Sequence, residues 1–115
     1  MASTTPEGLV ICPRHMDFDL PSPLPRHWHN GDASKAHLFD AISGLFHDGE
    51  CFFIESVRLF RDQIKEPVLK EQIRGFIGQE GHHSREHLEY SNHLRELGYG
   101  IGTIEHRAKA RIRYT

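Results

Sequence analysis

The sequence predicts an all-α protein whose centre is an antiparallel helical hairpin, half of a four-helix bundle. Two long segments carry apolar residues at alternating steps of three and four, which is the signature of one helical face. A short Lys65-Glu66-Pro67 break separates the segments, so the two helices fold back on each other. Neither helix can bury its apolar stripe alone, and a pair of helices leaves one side of each stripe exposed to water. A further segment or a second chain must therefore complete the core.

Residues 1–31 form the first predicted unit, an irregular N-terminal arm. This segment holds five of the six prolines in the chain, which exclude a long helix because each proline removes a backbone donor. Its apolar residues, among them Trp28, suggest that the arm packs on the rest of the protein.

Residues 32–98 form the second predicted unit, the helical pair. Either Asp32 or Ser34 can cap a first helix that runs to about Ile64. Its stripe contains eight positions, one of them shared by two residues: Phe39, Ile42, Phe46, Gly49/Glu50, Phe53, Val57, Phe60 and Ile64.

Pro67 suits the first turn of the second helix, and glycines at 98, 100 and 102 are expected to stop it. The stripe of this helix contains nine residues: Leu69, Ile73, Phe76, Glu80, His83, His87, Tyr90, Leu94 and Leu97. Residues 99–115 are predicted to be a basic C-terminal tail or the start of a third helix.

Length, charge and hydrophobic content limit the classes of protein to which the chain can belong. With 115 residues and 37% hydrophobic content, the chain is expected to be one small domain. A formal net charge of −2 gives no general attraction to nucleic acid or to an anionic membrane. No apolar run approaches the ~20 residues of a membrane span, and no signal-peptide pattern is present, so the expected compartment is the cytoplasm. Cys12 and Cys51 are therefore expected to be reduced thiols.

Polar residues interrupt both stripes at their centres: Glu50 on the first helix, and Glu80, His83 and His87 on the second. An inward carboxylate needs a partner because burying it unpaired is costly, and a divalent cation is one good partner. Glu50 lies sixteen residues before Glu66, and Glu80 fourteen residues after it. These separations are roughly 24 and 21 Å along a helix, so the two carboxylates fall in one layer of the hairpin.

The spacing of Glu80 and His83 places both side chains on one face of their helix. One Glu facing a Glu-x-x-His is half of the ligand set of a carboxylate-bridged dimetal bundle. His87 extends the motif, and we favour an outer role for it, as a partner of a ligand, a wall of the pocket or the group that carries protons in catalysis, over ligation. Five glycines flank this layer and indicate close helix approach or room for a substrate, with weak helix formation as the alternative: Gly44, Gly49, Gly75, Gly78 and Gly81.

The motifs Gly-Glu-x-Phe-Phe and Gln-Glu-x-x-His-x-x-x-His, with the strings MDFDLP and PRHW, resemble the bacterial predicted metal-dependent hydrolases. The resemblance covers roughly residues 13–98. It implies a ferritin-like helical bundle, with Glu50, Glu80 and His83 as metal ligands and His87 close by.

Members of that family are about twice as long, and their second half supplies another Glu and another Glu-x-x-His. The resemblance therefore implies a truncated product or a half-bundle that pairs with a second chain. A two-fold homodimer would bring together two copies of Glu50, Glu80 and His83, the ligand set of a complete dimetal bundle.

The first functional hypothesis is a metal-dependent hydrolase that acts on a small-molecule substrate, with a bound metal activating water. The metal is expected to be iron, with zinc or manganese as alternatives. A di-iron oxidase or oxygenase would use the same ligands. A metal-binding bundle without catalysis and an inactive fragment are the remaining alternatives.

Overall fold

The structure is a computed structural model that describes residues 6–113, and this part of the chain is all-helical, without strands. The helices are α1 (Ala33–Arg61), α2 (Pro67–Glu96) and α3 (Ile101–Ile112). The all-α prediction is confirmed. The first five residues of the predicted arm and the last two of the chain lie outside the described residues. None of the three helices is long and apolar enough to cross a membrane.

Side-chain caps fix where the two long helices begin. The Asp32 carboxylate accepts a hydrogen bond from the Lys35 amide at 3.1 Å, so Asp32 rather than Ser34 caps α1. The Glu66 carboxylate caps α2 by accepting from the amides of Val68 and Leu69, and Pro67 follows as the first helical residue.

One glycine lies at the end of α2, and another leaves room for α3 to pack on α1. Gly98 has a φ of +83°, a left-handed conformation that suits a helix end. Gly44 lies in α1 under Ile101, and a Cβ at position 44 would come within 2.6 Å of the Ile101 side chain. The small core beside this contact consists of Leu24, Leu94 and Ile101.

Polar residues fill much of the surface between α1 and α2. Asp40, Ser43 and Glu50 of α1 are buried, as are Ser84 and Ser91 of α2. The apolar stripe of α1 lies beside this polar seam and is largely uncovered. Its exposed members are Phe39 (45%), Ile42 (38%), Phe46 (43%), Phe53 (51%) and Phe60 (60%).

The described part of the N-terminal arm contacts α2 and then α1. The arm passes close to α2 at two glycines, where an added Cβ would meet the Ile11 carbonyl oxygen at 2.4 Å (Gly75) and Pro13 at 2.7 Å (Gly78). Further along, the Trp28 indole donates to Asp40 Oδ1 at 3.0 Å. These contacts hold the arm against the helical pair.

Candidate metal centre

Three potential metal ligands converge between α1 and α2. Glu50 Oε1 lies 2.9 Å from His83 Nδ1 and 3.8 Å from His87 Nε2. One ligand atom from each of the three residues lies within 4.8 Å of the others. The two histidines are four residues apart on α2 and therefore share one face of that helix, while Glu50 faces them from α1.

The three side chains differ in exposure, which gives the centre a closed side and an open side. The exposed fraction is 3% for Glu50, 21% for His87 and 55% for His83. The carboxylate therefore forms the floor of the centre, and His83 stands at its mouth.

Glu50 is not satisfied by the protein around it. Its Oε1 contacts His83, but its Oε2 is buried with no hydrogen-bond partner among the described residues. Burial, with a smaller contribution from the charge of Glu80, raises the pKa of Glu50 to about 7. A cation beside this carboxylate would favour its charged form and supply the missing partner.

Glu80, the other predicted carboxylate ligand, lies next to His83. Its Oε2 is 4.0 Å from His83 Nδ1, and its side chain is 18% exposed. The structure thus places all four sequence-predicted residues together but orders them differently. His87, expected in an outer role, joins Glu50 and His83 in the close group, and Glu80, expected as a ligand, lies at its edge.

His87 is held on both sides. Its Nδ1 lies 2.7 Å from Ser43 Oγ, and the Phe46 ring stacks on its imidazole with the centroids 4.8 Å apart. Burial lowers the pKa of His87, and the neighbouring His83 and His47 lower it further. A neutral imidazole of this kind keeps one nitrogen lone pair available as a ligand.

A second polar cluster lies one helical turn from Glu50. His47 Nδ1 lies 2.8 Å from Ser84 Oγ and 3.1 Å from the Ser84 carbonyl oxygen. Cys51 Sγ lies 3.6 Å from the same Ser84 hydroxyl. These contacts give His47 hydrogen-bond partners outside the group formed by Glu50, His83 and His87.

Two serines that contact histidines here, Ser43 and Ser84, are not marked by the motifs of the sequence. A signal existed for Ser43, because it precedes Glu50 by seven residues, or two helical turns, and so shares its face. Serine is too common on helix surfaces for that spacing alone to single it out.

The donor chemistry and spacing fit a divalent transition metal. Two imidazoles and a carboxylate are ligands that iron and zinc both accept. Bonds of about 2.0–2.1 Å in a tetrahedral site put ligand atoms roughly 3.3 Å apart. The 2.9 and 3.8 Å separations around Glu50 Oε1 bracket that value.

Comparison with known proteins agrees with this chemistry. The model of the family described as predicted metal-dependent hydrolase matches residues 12–115, so the chain belongs to that family. The resemblance that the sequence motifs indicated is confirmed. Neither the curated proteins nor the solved structures contain a significant match.

Proposed function

We propose that this protein is a metal-dependent hydrolase in which Glu50, His83 and His87 hold a divalent cation and Glu80 completes the ligand set. The observation that carries the proposal is the buried Oε2 of Glu50, which has no hydrogen-bond partner within residues 6–113 and lies beside two imidazole nitrogens. A buried carboxylate in this state destabilises the fold unless a cation or a proton compensates it.

A bound divalent cation supplies a water of lowered pKa and polarises the bond to be hydrolysed. The residues of the chain prepare for this in different ways. Glu50 contributes negative charge from the buried floor, and His87 contributes a neutral nitrogen that Ser43 and Phe46 hold in place. The exposure of His83 leaves an approach for a small-molecule substrate. Iron is the metal we favour, with zinc and manganese as alternatives.

We further infer that α1 and α2 form an antiparallel hairpin that is half of a ferritin-like bundle. In support, contacts pair Ser43 with His87 and Glu50 with His83, so residue numbers rise along α1 as they fall along α2. Several phenylalanines of α1 are exposed, one of them Phe46 against His87 of the centre, and a second copy of the chain would cover this surface. That copy would contribute its own Glu50 and Glu80-x-x-His83.

The test is the metal content of the purified protein and of two matched variants. We expect about one metal ion per chain in the wild type. In Glu50→Gln we expect near-background metal, since an amide cannot replace the carboxylate charge. Glu71→Gln makes the same chemical change on α2 at a side chain that is 66% exposed and paired with Arg74, so it should keep the wild-type content.

Mass spectrometry identifies the bound element. Hydrolysis of small-molecule substrates tests the activity, which the metal-loaded wild type should show and Glu50→Gln should lack. A wild type that stays metal-free after incubation with iron, zinc and manganese would refute the proposal. Equal metal content in Glu50→Gln would show that the ligands are assigned to the wrong residues.

A further inference from the structure

Ser43 contacts the ring nitrogen of His87 that faces away from the centre. Its hydroxyl is buried at the interface of α1 and α2, where the residue is 7% exposed. Ser43 Oγ lies 2.7 Å from His87 Nδ1, while His87 Nε2 points toward Glu50 Oε1 at 3.8 Å. One side chain thus touches the outer nitrogen while the inner nitrogen faces the proposed metal.

The direction of this hydrogen bond decides what the inner nitrogen can do. A neutral imidazole carries a single N–H. If Ser43 donates to Nδ1, the proton of His87 is on Nε2 and blocks ligation there. If Ser43 accepts from Nδ1–H, Nε2 presents its lone pair toward Glu50. A hydroxyl can serve either way, so the cation selects the second arrangement, and Ser43 stabilises it.

The ring cannot readily escape this arrangement by turning over. Phe46 stacks on the imidazole at 4.8 Å with the two ring planes 28° apart. A flip would exchange the ring nitrogens between Ser43 and Glu50 and would disturb that packing. The serine and the phenylalanine therefore restrain the orientation of His87 from two directions.

We propose that Ser43 is a positioning residue that accepts the Nδ1–H of His87 and thereby aims the Nε2 lone pair at the metal. This inference rests on the proposed function, because it assigns a partner to one of the proposed ligands. It adds a residue that the motifs of the sequence do not mark.

The experiment measures zinc binding to the full chain by calorimetry, and the state of the His87 ring by nitrogen-15 NMR. Zinc is a suitable probe because an imidazole and carboxylate site binds it at least as tightly as Mn²⁺ or Fe²⁺. In Ser43→Ala we expect a loss of affinity of about tenfold or more, the usual effect of removing such a partner. Ser43→Thr keeps the hydroxyl and should restore most of the affinity.

Ser91→Ala is the matched control. Ser91 is fully buried on α2, and its hydroxyl has no hydrogen-bond partner among the described residues. Its loss should leave zinc affinity unchanged even if it alters stability slightly. In the zinc-loaded wild type, NMR should show the proton of His87 on Nδ1 and zinc on Nε2.

Three outcomes separate the two proposals. A wild type that binds no zinc, iron or manganese refutes the proposed function and this inference with it. A wild type that binds zinc with the same affinity as Ser43→Ala refutes the role of Ser43 alone. If Ser43→Ala fails to fold, the wild-type spectrum decides, since zinc on Nδ1 or a proton on Nε2 would overturn the inference.

Discussion

Glu50 is almost completely buried, and one of its oxygens has no partner in the part of the chain that the structure describes, an arrangement that an ordinary structural residue rarely keeps. Replacing it by an amide or an apolar residue would remove the desolvation cost of its charge. In the proposed centre, a cation that compensates this cost would recover it as binding free energy. Glu50 would then lower the stability of the metal-free protein and raise its affinity for metal.

This exchange predicts how the stability of the metal-free protein depends on pH. The pKa of Glu50 is raised from an ordinary 4.5 to about 7 in the folded protein. Between these values the folded state binds more protons than the unfolded state, so the Glu50 contribution to the free energy of unfolding falls as pH rises. Ionising Glu50 should therefore destabilise the chelator-treated protein progressively as pH rises from about 4.5 to about 7.

The measurement is urea unfolding of metal-free wild type and Glu50→Gln at pH 5 and pH 8. His87 opposes the trend, because its lowered pKa makes stability fall as pH drops, so the difference between the proteins is the informative quantity. The free energy of unfolding of Glu50→Gln, relative to that of the wild type, should rise between pH 5 and pH 8 by on the order of 1–3 kcal/mol. A difference that stays constant with pH would contradict a raised pKa at this residue.

The proximity of Glu50, Glu80, His83 and His87 could be predicted because each of them occupies a position on a helical face. Glu50 interrupts an apolar stripe, and counting from the turn puts it level with Glu80 and His83. The contact between Ser43 and His87 depends on side-chain orientations at one crossing of two helices. Spacing along a single chain does not carry that information.

At the scale of elements, caps and breaks were the most predictable features. Asp32, Pro67 and Gly98 act locally, through hydrogen bonds or backbone angles within a few residues, so their effects can be predicted from nearby sequence. Gly102 was expected to help stop α2 but lies inside α3. The neighbouring Ile101 packs on Gly44 of α1, a contact between distant residues that the nearby sequence does not reveal.

Glycines of α2 divide into two kinds, which yields a paired prediction. At Gly75 an added Cβ would lie 2.4 Å from the Ile11 carbonyl oxygen, whereas at Gly81 it would meet nothing within 4 Å. Gly75→Ala should therefore push the arm away from α2 and destabilise the protein by about 1–3 kcal/mol. Gly81→Ala should stabilise it by up to about 1 kcal/mol, through higher helix propensity.

Thermal unfolding of the two variants measures this contrast, and limited proteolysis reports whether the arm is released. Gly81 lies two residues before His83, on the far side of α2 at about 100° per residue, so metal content should not change in Gly81→Ala. Equal stability of Gly75→Ala and Gly81→Ala would mean that the arm does not rest on Gly75.

For the whole molecule, the distribution of apolar surface is the dominant feature. The cluster of fully buried apolar residues is small, built around Leu24, Leu94 and Ile101, while five stripe residues of α1 remain exposed. The apolar stripes of the sequence predict that a helical pair leaves one side of each stripe exposed to water. The sequence predicts that Glu50 faces α2, but not that so much of the stripe around it stays exposed. The buried positions of α1 include Asp40, Ser43 and Glu50, whose polar contacts with other segments are not visible in the spacing of apolar residues.

The exposed stripe leads to a prediction about assembly. If a second copy covers it, Phe53 lies within the interface, since it follows Glu50 by one turn and is 51% exposed. Phe53→Asp would then bury a charge and should weaken the dimer at least about tenfold. Leu59→Asp is the control, because Leu59 is 76% exposed on the same helix but about 120° around it from Phe53.

Sedimentation equilibrium measures the mass of each protein in solution, and metal analysis of the same samples gives the metal content per chain. We expect wild type and Leu59→Asp to be dimers that retain metal, and Phe53→Asp to shift toward monomer with less metal per chain. Loss of metal together with loss of the dimer would indicate that the centre needs ligands from both copies. A monomeric wild type with full metal content would instead show that Glu50, Glu80, His83 and His87 of one chain suffice, and the two-fold bundle would be wrong.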